Sequence, residues 1–282
     1  MKFTKMHGAG NDYVYIDCTK IMVANPKALS KKISDRHFGV GSDGLVLICP
    51  SNVADFKMRM FNPDGSEAQM CGNASRCVAK YLYDNKMIQK TEMTLETLAG
   101  IKRLTLFPNG RKVHRVMVDM GVPELHPAKI PMAEALVAMG EEDVINFPLE
   151  VDKKIYMVTC LSMGNPHAVN FVKSTKIINV QRVGKLVEHH RLFPEITNAE
   201  FVELLSRSEL RMRVWERGTG ETLACGTGAC AALVAAVLND YADRKATIHL
   251  PGGDLDVEWD EDSNHVFMTG EAETVFEGEF YT

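Results

Sequence analysis

Asn62-Pro63-Asp64-Gly65-Ser66-Glu67-Ala68-Gln69-Met70-Cys71-Gly72 can be laid over Glu216-Arg217-Gly218-Thr219-Gly220-Glu221-Thr222-Leu223-Ala224-Cys225-Gly226 without a gap. The glutamates coincide, and so do the Cys-Gly pairs. Each Cys-Gly then opens a stretch with helical patterning, 73–85 and 227–240, and each stretch carries a second cysteine near its start, Cys77 and Cys230. Cys71 and Cys225 are 154 positions apart in a chain of 282. A copy at more than half the chain length predicts two similar lobes related by a pseudo-twofold axis. In such an arrangement the two cysteines are expected to face each other across a cleft.

The flanking sequence fits lobes of mixed α+β type. Period-two alternation over 13–16, 57–61, 102–106 and 115–118 predicts half-buried strands, with Gly and Asn-Gly turns between them. Pro123, Pro127 and Pro131 fall within nine residues and interrupt both helix and sheet ladders, so the boundary is expected there. The second half repeats the style. Strands are expected near 154–161, 166–172, 210–215, 246–250, 255–259 and 265–269, with a helix near 180–190.

Composition narrows the function. With 45% hydrophobic and 24% charged residues the chain is ordinary for a globular protein. It has no apolar run of about 18 residues that would span a bilayer, and its first residues, Met1 to His7, lack a secretory apolar core. A cytoplasmic protein without a membrane partner is therefore expected. The net charge of -5 with interspersed signs gives no basic stripe for nucleic acid, which leaves a small molecule as the expected partner. Seven scattered cysteines point to a reducing compartment and thiol chemistry, with Cys18, Cys49 and Cys160 read as small core hydrophobes.

Two cysteines at helix starts have a definite chemistry. A free thiol has a pKa of about 8.5, which the unpaired N–H groups and dipole of a helix N-terminus lower. The same N–H groups, on Gly72, Asn73, Gly226 and Thr227, can bind a carboxylate. If that carboxylate is the α-carboxylate of an amino acid, one sulfur can remove the Cα proton while the other returns a proton to the opposite face. Inversion of that kind needs no cofactor, and the sequence shows no persuasive pyridoxal phosphate site.

Several segments, Gly10-Asn11-Asp12, Asn62-Pro63-Asp64-Gly65, Gly164-Asn165-Pro166-His167, Thr197-Asn198-Ala199 and Glu216-Arg217-Gly218, read as loops with polar groups suited to a zwitterion. Together with Met6 to Asp12, Phe61 to Glu67, Met70 to Asn73 and Ala224 to Cys230 they resemble the diaminopimelate epimerase family along nearly the whole chain. The resemblance implies interconversion of LL- and meso-2,6-diaminopimelate. It also implies two lobes, each a mixed curled sheet around a central helix, comprising residues 1–120 with 271–282 and residues 121–270. The same resemblance implies that the last strand, about 272–281, returns to the first lobe and that the assembly is a homodimer. In that family the position of Cys71 is the base toward the LL substrate and that of Cys225 the proton donor, with roles reversed in the other direction. Asn11, Asn62, Asn165, Asn198, Glu216 and Arg217 are implied substrate contacts, and His167 and Glu216 are implied to tune the thiols. Arg217 suits a distal carboxylate because its planar fork is bidentate. Two departures are Ala74, where many relatives have glycine, and Gly44, where some have glutamine.

Other readings are weaker. Gly39-Val40-Gly41-Ser42-Asp43-Gly44 fits a dinucleotide fingerprint, but helical patterning at 27–36 precedes it and a strand at 45–49 follows, the reverse of what that motif needs. The cysteine spacings do not match short zinc knuckles, so no metal is expected. The remaining alternatives are a proline racemase or hydroxyproline epimerase type of enzyme, and a thiol redox switch.

Overall fold

The computed structural model describes residues 1–138, 140 and 142–281. Contacts divide the chain into two compact units, Met1–Asp119 with Thr269–Thr282, and Met120–Met268. The first begins with strands β1 (Lys2–Gly8) and β2 (Asn11–Asp17), helix α1 (Pro26–Ile33), then β3 (Leu45–Cys49), β4 (Phe56–Phe61) and β5 (Glu67–Ala68). Helix α2 (Gly72–Asp84), β6 (Glu92–Thr97), β7 (Gly100–Asn109) and β8 (Lys112–Gly121) follow. The second unit holds α3 (Glu134–Val137), β9 (Val144–Val151), β10 (Lys154–Ser162), β11 (Pro166–Phe171), α4 (Val180–Glu188), β12 (Asn198–Leu204), β13 (Glu209–Glu216) and β14 (Gly220–Thr222). Then come α5 (Gly226–Leu238), β15 (Lys245–Leu250), β16 (Gly253–Trp259) and β17 (Val266–Glu271), and the chain closes with β18 (Glu273–Glu279) in the first unit.

The two units share one connectivity. In the first, β1 and β2 are antiparallel, β2 and β3 parallel, β3 and β4 antiparallel, β4 and β6 parallel, and β6 and β7 antiparallel. In the second, β10, β11, β12, β13, β15 and β16 repeat that series in the same senses. An extra antiparallel strand flanks each series at its start. It is the C-terminal β18 beside β1 but the preceding β9 beside β10.

The repeat keeps one spacing through its helices. Asn25 caps α1 by accepting from the Ala28 N–H, and Asn179, 154 positions on, caps α4 by accepting from the Arg182 N–H. Asn85 and Asn239, also 154 apart, end α2 and α5. The glutamates that coincide in the repeat are hairpin struts: Glu67 accepts from Arg59 Nε and Glu221 from Arg213 Nε, each at 2.7 Å.

α2 and α5 are the central helices, buried on nearly every side. α5, GTGACAALVAAVL, is apolar all round, as a helix surrounded by sheet must be. α2 achieves the same burial with two cations. Arg76, fully buried, donates from Nε to the Glu271 carbonyl, and Lys80 donates to the Val113 carbonyl and to Asp84. The outer helices α1 and α4 cover the other sheet face, over clusters that include Val14, Ile16, Leu45, Leu47 and Phe61 in the first unit and Val158, Ala168, Val183 and Phe201 in the second. With helices on both faces, β3 is an unbroken apolar run, Leu45-Val46-Leu47-Ile48-Cys49, all buried. Cys18, Cys49 and Cys160 are buried within these layers.

One local expectation is corrected. Asn198 and Ala199 are not loop residues but the first residues of β12, whereas Pro166 and His167 open β11 where a strand near 166–172 is expected. Their polar side chains occur inside a parallel strand pair, His167 in register with Asn198, because they bond one another's surroundings there. Strand β9 lies outside the strands expected from sequence: Pro148, Asn146 and Glu150 obscure its alternation, but it pairs antiparallel along β10.

Candidate active site

Each unit gathers one cysteine and several polar side chains at the start of its central helix. In the first, Cys71 is extended at the N-cap of α2, half-buried, and its carbonyl accepts from the Ser75 N–H. Its thiol donates to Asn11 Oδ1 at 3.3 Å, and Asn73 Nδ2 donates to the same oxygen at 3.2 Å. The Asn11 amide is oriented from its other end, where Nδ2 donates to Asp43 Oδ2 at 2.8 Å. Asp43 in turn shares Arg36 with Asp12, and Arg36 and Lys5 hold the Asp12 carboxyl below the usual range although burial alone would raise it. Asn62 stands apart from this group: its Nδ2 donates to Ser66 Oγ within its own turn.

In the second unit Cys225 is fully enclosed at the N-cap of α5, where Sγ accepts from the Gly228 N–H and lies 3.4 Å from Thr227 Oγ1. Gly226 and Thr227 form the first helical residues. Glu216, at the end of β13, bonds Thr222 Oγ1 and the Cys225 sulfur. Burial raises the Glu216 carboxyl, and the charge of Glu200 adds to the rise, against the hydrogen bonds from Thr222 and Cys225 and the charge of His167. His167 Nδ1 lies 2.7 Å from Glu200 Oε1 and its Nε2 3.1 Å from Asn165 Oδ1.

Asn198 acts as a clamp: Nδ2 donates to the Pro166 carbonyl and Oδ1 accepts from the Arg217 N–H. Glu188 steadies the next residue, accepting from the Gly218 N–H at 2.6 Å. The Arg217 side chain is exposed, and among the described residues its guanidinium reaches only the Glu195 carbonyl.

A helix start lowers a thiol pKa when it acts alone. At Cys225 it does not win. Burial pushes this thiol well up, and the charges of Glu216 and Glu200 push it further, opposed by Thr227 and the Gly228 N–H. The magnitudes agree: a helix N-terminus contributes about 0.3–1 kcal/mol to an exposed charge, whereas burial and a close like charge each shift a pKa by roughly one to three units, about 1.4 kcal/mol apiece. The expectation that both helix starts favour thiolate is therefore corrected at Cys225.

Sequence reading passed over Asp43, Glu188 and Glu200. Asp43 sits in the glycine-rich segment rejected as a nucleotide site, and its register beside Asn11 was the missing signal. The structure also explains Gly44. A Cβ there would lie 2.3 Å from the Phe61 carbonyl oxygen, so the position has no room for a side chain. Among the described residues no group of three or more His, Cys, Asp or Glu could hold a metal, and no helix is long and apolar enough to cross a membrane.

The fold is shared with solved structures. A phenazine biosynthesis protein of the PhzF family from Bacillus anthracis superposes with a TM-score of 0.72 at 18% identity, covering 100% of this chain and 99% of that one. A hydroxyproline epimerase from Agrobacterium vitis gives 0.72 at 15% identity, covering 99% and 90%. Sequence likeness is far closer elsewhere: a diaminopimelate epimerase from Acetivibrio thermocellus is 59% identical over 99% of this chain and 98% of its own length, and one from Methanococcus maripaludis is 56% identical over 99% of each. With the pattern of that family matching residues 3–126 and 159–275 as well, the chain belongs to the diaminopimelate epimerase family.

Proposed function

We propose that this enzyme interconverts LL- and meso-2,6-diaminopimelate by proton transfer through two sulfurs, one from each unit. With the LL substrate, the Cys71 thiolate takes the Cα proton and becomes a thiol, while the Cys225 thiol gives its proton to the opposite face and becomes a thiolate. The reverse direction exchanges the roles. The observation that carries the reading is the repeated helix start: the same N-cap cysteine, followed by the same glycine, on two helices 154 positions apart in one connectivity. Free N–H groups there suit the substrate α-carboxylate and the charge that develops on it.

The asymmetry of the two sites supports the direction. Cys71 is half-buried beside a neutral amide, whereas Cys225 is enclosed with two carboxylates that favour its protonated form. In this reading Asn11, Asn62, Asn165, Asn198, Glu216 and Arg217 are the substrate contacts. The exposed Arg217 guanidinium takes the distal carboxylate and His167 with Glu216 tunes Cys225. The clamp at Asn198 adds that it also fixes the Arg217 backbone. A cytoplasmic homodimer that acts without a cofactor belongs to the same proposal.

Proton NMR of the reduced protein with LL-diaminopimelate in deuterated water, with nothing else added, tests it. Loss of the α-proton signal with appearance of the meso isomer is expected. No exchange with this substrate, together with exchange of proline or hydroxyproline, would overturn the substrate assignment.

A further inference from the structure

At the position where the first unit has Val46, the second has Glu200, 154 residues on. Both are fully buried. The Glu200 carboxylate pairs with no lysine or arginine among the described residues. Its Oε1 meets His167 Nδ1 at 2.7 Å, with neither side chain exposed, and its Oε2 is buried without a hydrogen-bond partner. A carboxylate kept from water in this way costs several kcal/mol, so its location matters. A Cβ built on Gly228 would lie 2.9 Å from Glu200 Oε1 and 3.3 Å from Cys225 Sγ. The carboxylate and the thiol thus pack against the same glycine in the first turn of α5.

We propose that Glu200 is a positioning residue for the Cys225 half of the proton transfer: it fixes the proton of His167 on Nδ1 and sets a negative charge behind Cys225, so that this sulfur rests as a thiol. The assignment rests on the two-sulfur reading above. An ionised carboxylate only accepts, so the nitrogen that faces it must donate. Nδ1 then carries hydrogen, and a neutral ring accepts at Nε2 from the Asn165 amide once that amide turns its NH2 group to the position, 3.1 Å away, that its oxygen occupies. The groups facing Cys225 are Glu200 from β12, Glu216 from β13, and Thr227 with the Gly228 N–H from α5, with His167 of β11 touching Glu200 and opposing Glu216. Cys160 of β10 also faces Glu200, and burial there, with the charge of Glu200, keeps it a thiol as well. Without Glu200 one of the two charges that raise Cys225 is gone, while its burial and the helix N-terminus stay.

Glu200→Gln isolates that charge, since glutamine keeps the size and an oxygen for His167 Nδ1. Iodoacetamide alkylation of each cysteine can be followed against pH by mass mapping, without substrate. The midpoint for Cys225 is expected to fall by about one pH unit and that for Cys71 to stay. The alkaline limb of kcat/KM with LL substrate, which needs Cys225 protonated, then falls equally. So does the acid limb with meso substrate, which needs it ionised. An unmoved Cys225 midpoint, or a joint shift of both cysteines, would overturn the proposal. Nitrogen NMR of His167 in the unaltered protein gives a test independent of any variant: Nδ1 should bear a proton, and a neutral ring protonated on Nε2 alone would refute the assignment. Neither the alkylation nor the NMR uses substrate. A failure to turn over diaminopimelate would therefore count against the substrate reading and leave this assignment to its own data.

Discussion

The starts of α2 and α5 occupy the same place in the same connectivity, yet they surround their cysteines differently. At positions 154 apart, Tyr13, Gly44, Val46 and Asn62 of the first unit answer to His167, Asn198, Glu200 and Glu216 of the second. Asn11 and Asn165 are the polar pair the two units hold in common. One frame therefore carries a thiol on a neutral amide, half-open, and another enclosed among an imidazole and two carboxylates. The backbone places a sulfur at a helix start, and the strand residues around it decide whether it rests protonated. An enzyme that must begin each LL turnover with one base and one acid needs that inequality.

The largest way to break the comparison is to remove either sulfur. Cys71→Ala and Cys225→Ala are each expected to lower epimerisation by roughly a thousandfold or more, the scale of losing a positioned proton-transfer group. Cys77→Ala should keep most of the activity, because Cys77 is buried behind the helix start, where burial pushes its thiol up to about 11. Turnover of LL substrate in deuterated water measures all three, and an active Cys225→Ala enzyme would end the two-sulfur scheme.

The repeat partners Asn62 and Glu216 sharpen it next. Glu216 bonds the Cys225 sulfur as well as contacting substrate in this reading, so Glu216→Gln should lower kcat by about a hundredfold and raise KM by a smaller factor. The Asn62 side chain bonds Ser66 of its own turn rather than a sulfur, so Asn62→Ala should act mainly on KM. Steady-state kinetics of the two variants would contradict the comparison if the effects were exchanged.

The thiols should also react unequally. Cys71 is more exposed, and Cys225 ionises only well above the ordinary thiol range. A thiol whose pKa is raised has its thiolate fraction cut about tenfold for each unit. Alkylation at pH 8 should therefore label Cys71 first, about tenfold faster or more. The Cys225 rate should still be climbing above pH 9, because a raised pKa moves its ionisation to the alkaline side. Mass mapping of a time course decides it, and labelling of Cys225 first would reverse the assignment of resting acid and base.

This inequality is the part that the sequence hid. The two cysteines, the duplication and the polar segments were legible because each is a short motif at a fixed spacing. Glu200 sits in Asn198-Ala199-Glu200-Phe201-Val202, where a glutamate reads as the outward residue of an alternating strand. Only the parallel register of β11 with β12, and a helix packed on each face, turn it inward onto His167. Asp43 was hidden likewise, since its partner Asn11 lies 32 residues away across β2 and β3. Helix-start reasoning about thiols is local and found the cysteines. Their protonation is set by charges from strands far apart in the chain, and so it was misjudged at Cys225.

The smallest expected effect concerns what the units hold in common. Glu67 and Glu221, which coincide in the repeat, brace equivalent hairpins through Arg59 and Arg213. Both pairs are partly exposed, at 29% and 22% in the first unit and 28% and 32% in the second, so each contributes only about 0.2–1 kcal/mol. Glu67→Ala and Glu221→Ala should lower thermal stability slightly and by similar amounts, and both losses should shrink in high salt, which screens such pairs. The arginines should not match. Arg213 Nη1 also donates to the Thr175 and Ile178 carbonyls, at 2.8 and 3.2 Å, and ties β13 to the approach of α4, whereas Arg59 lies over the Phe61 ring. Arg213→Ala should therefore cost about 1–2 kcal/mol more than Arg59→Ala, as two carbonyl bonds are lost and their acceptors left to water. Calorimetry of the four variants resolves the difference. Equal arginine losses would show that the frame is symmetric in its bracing even where its chemistry is not.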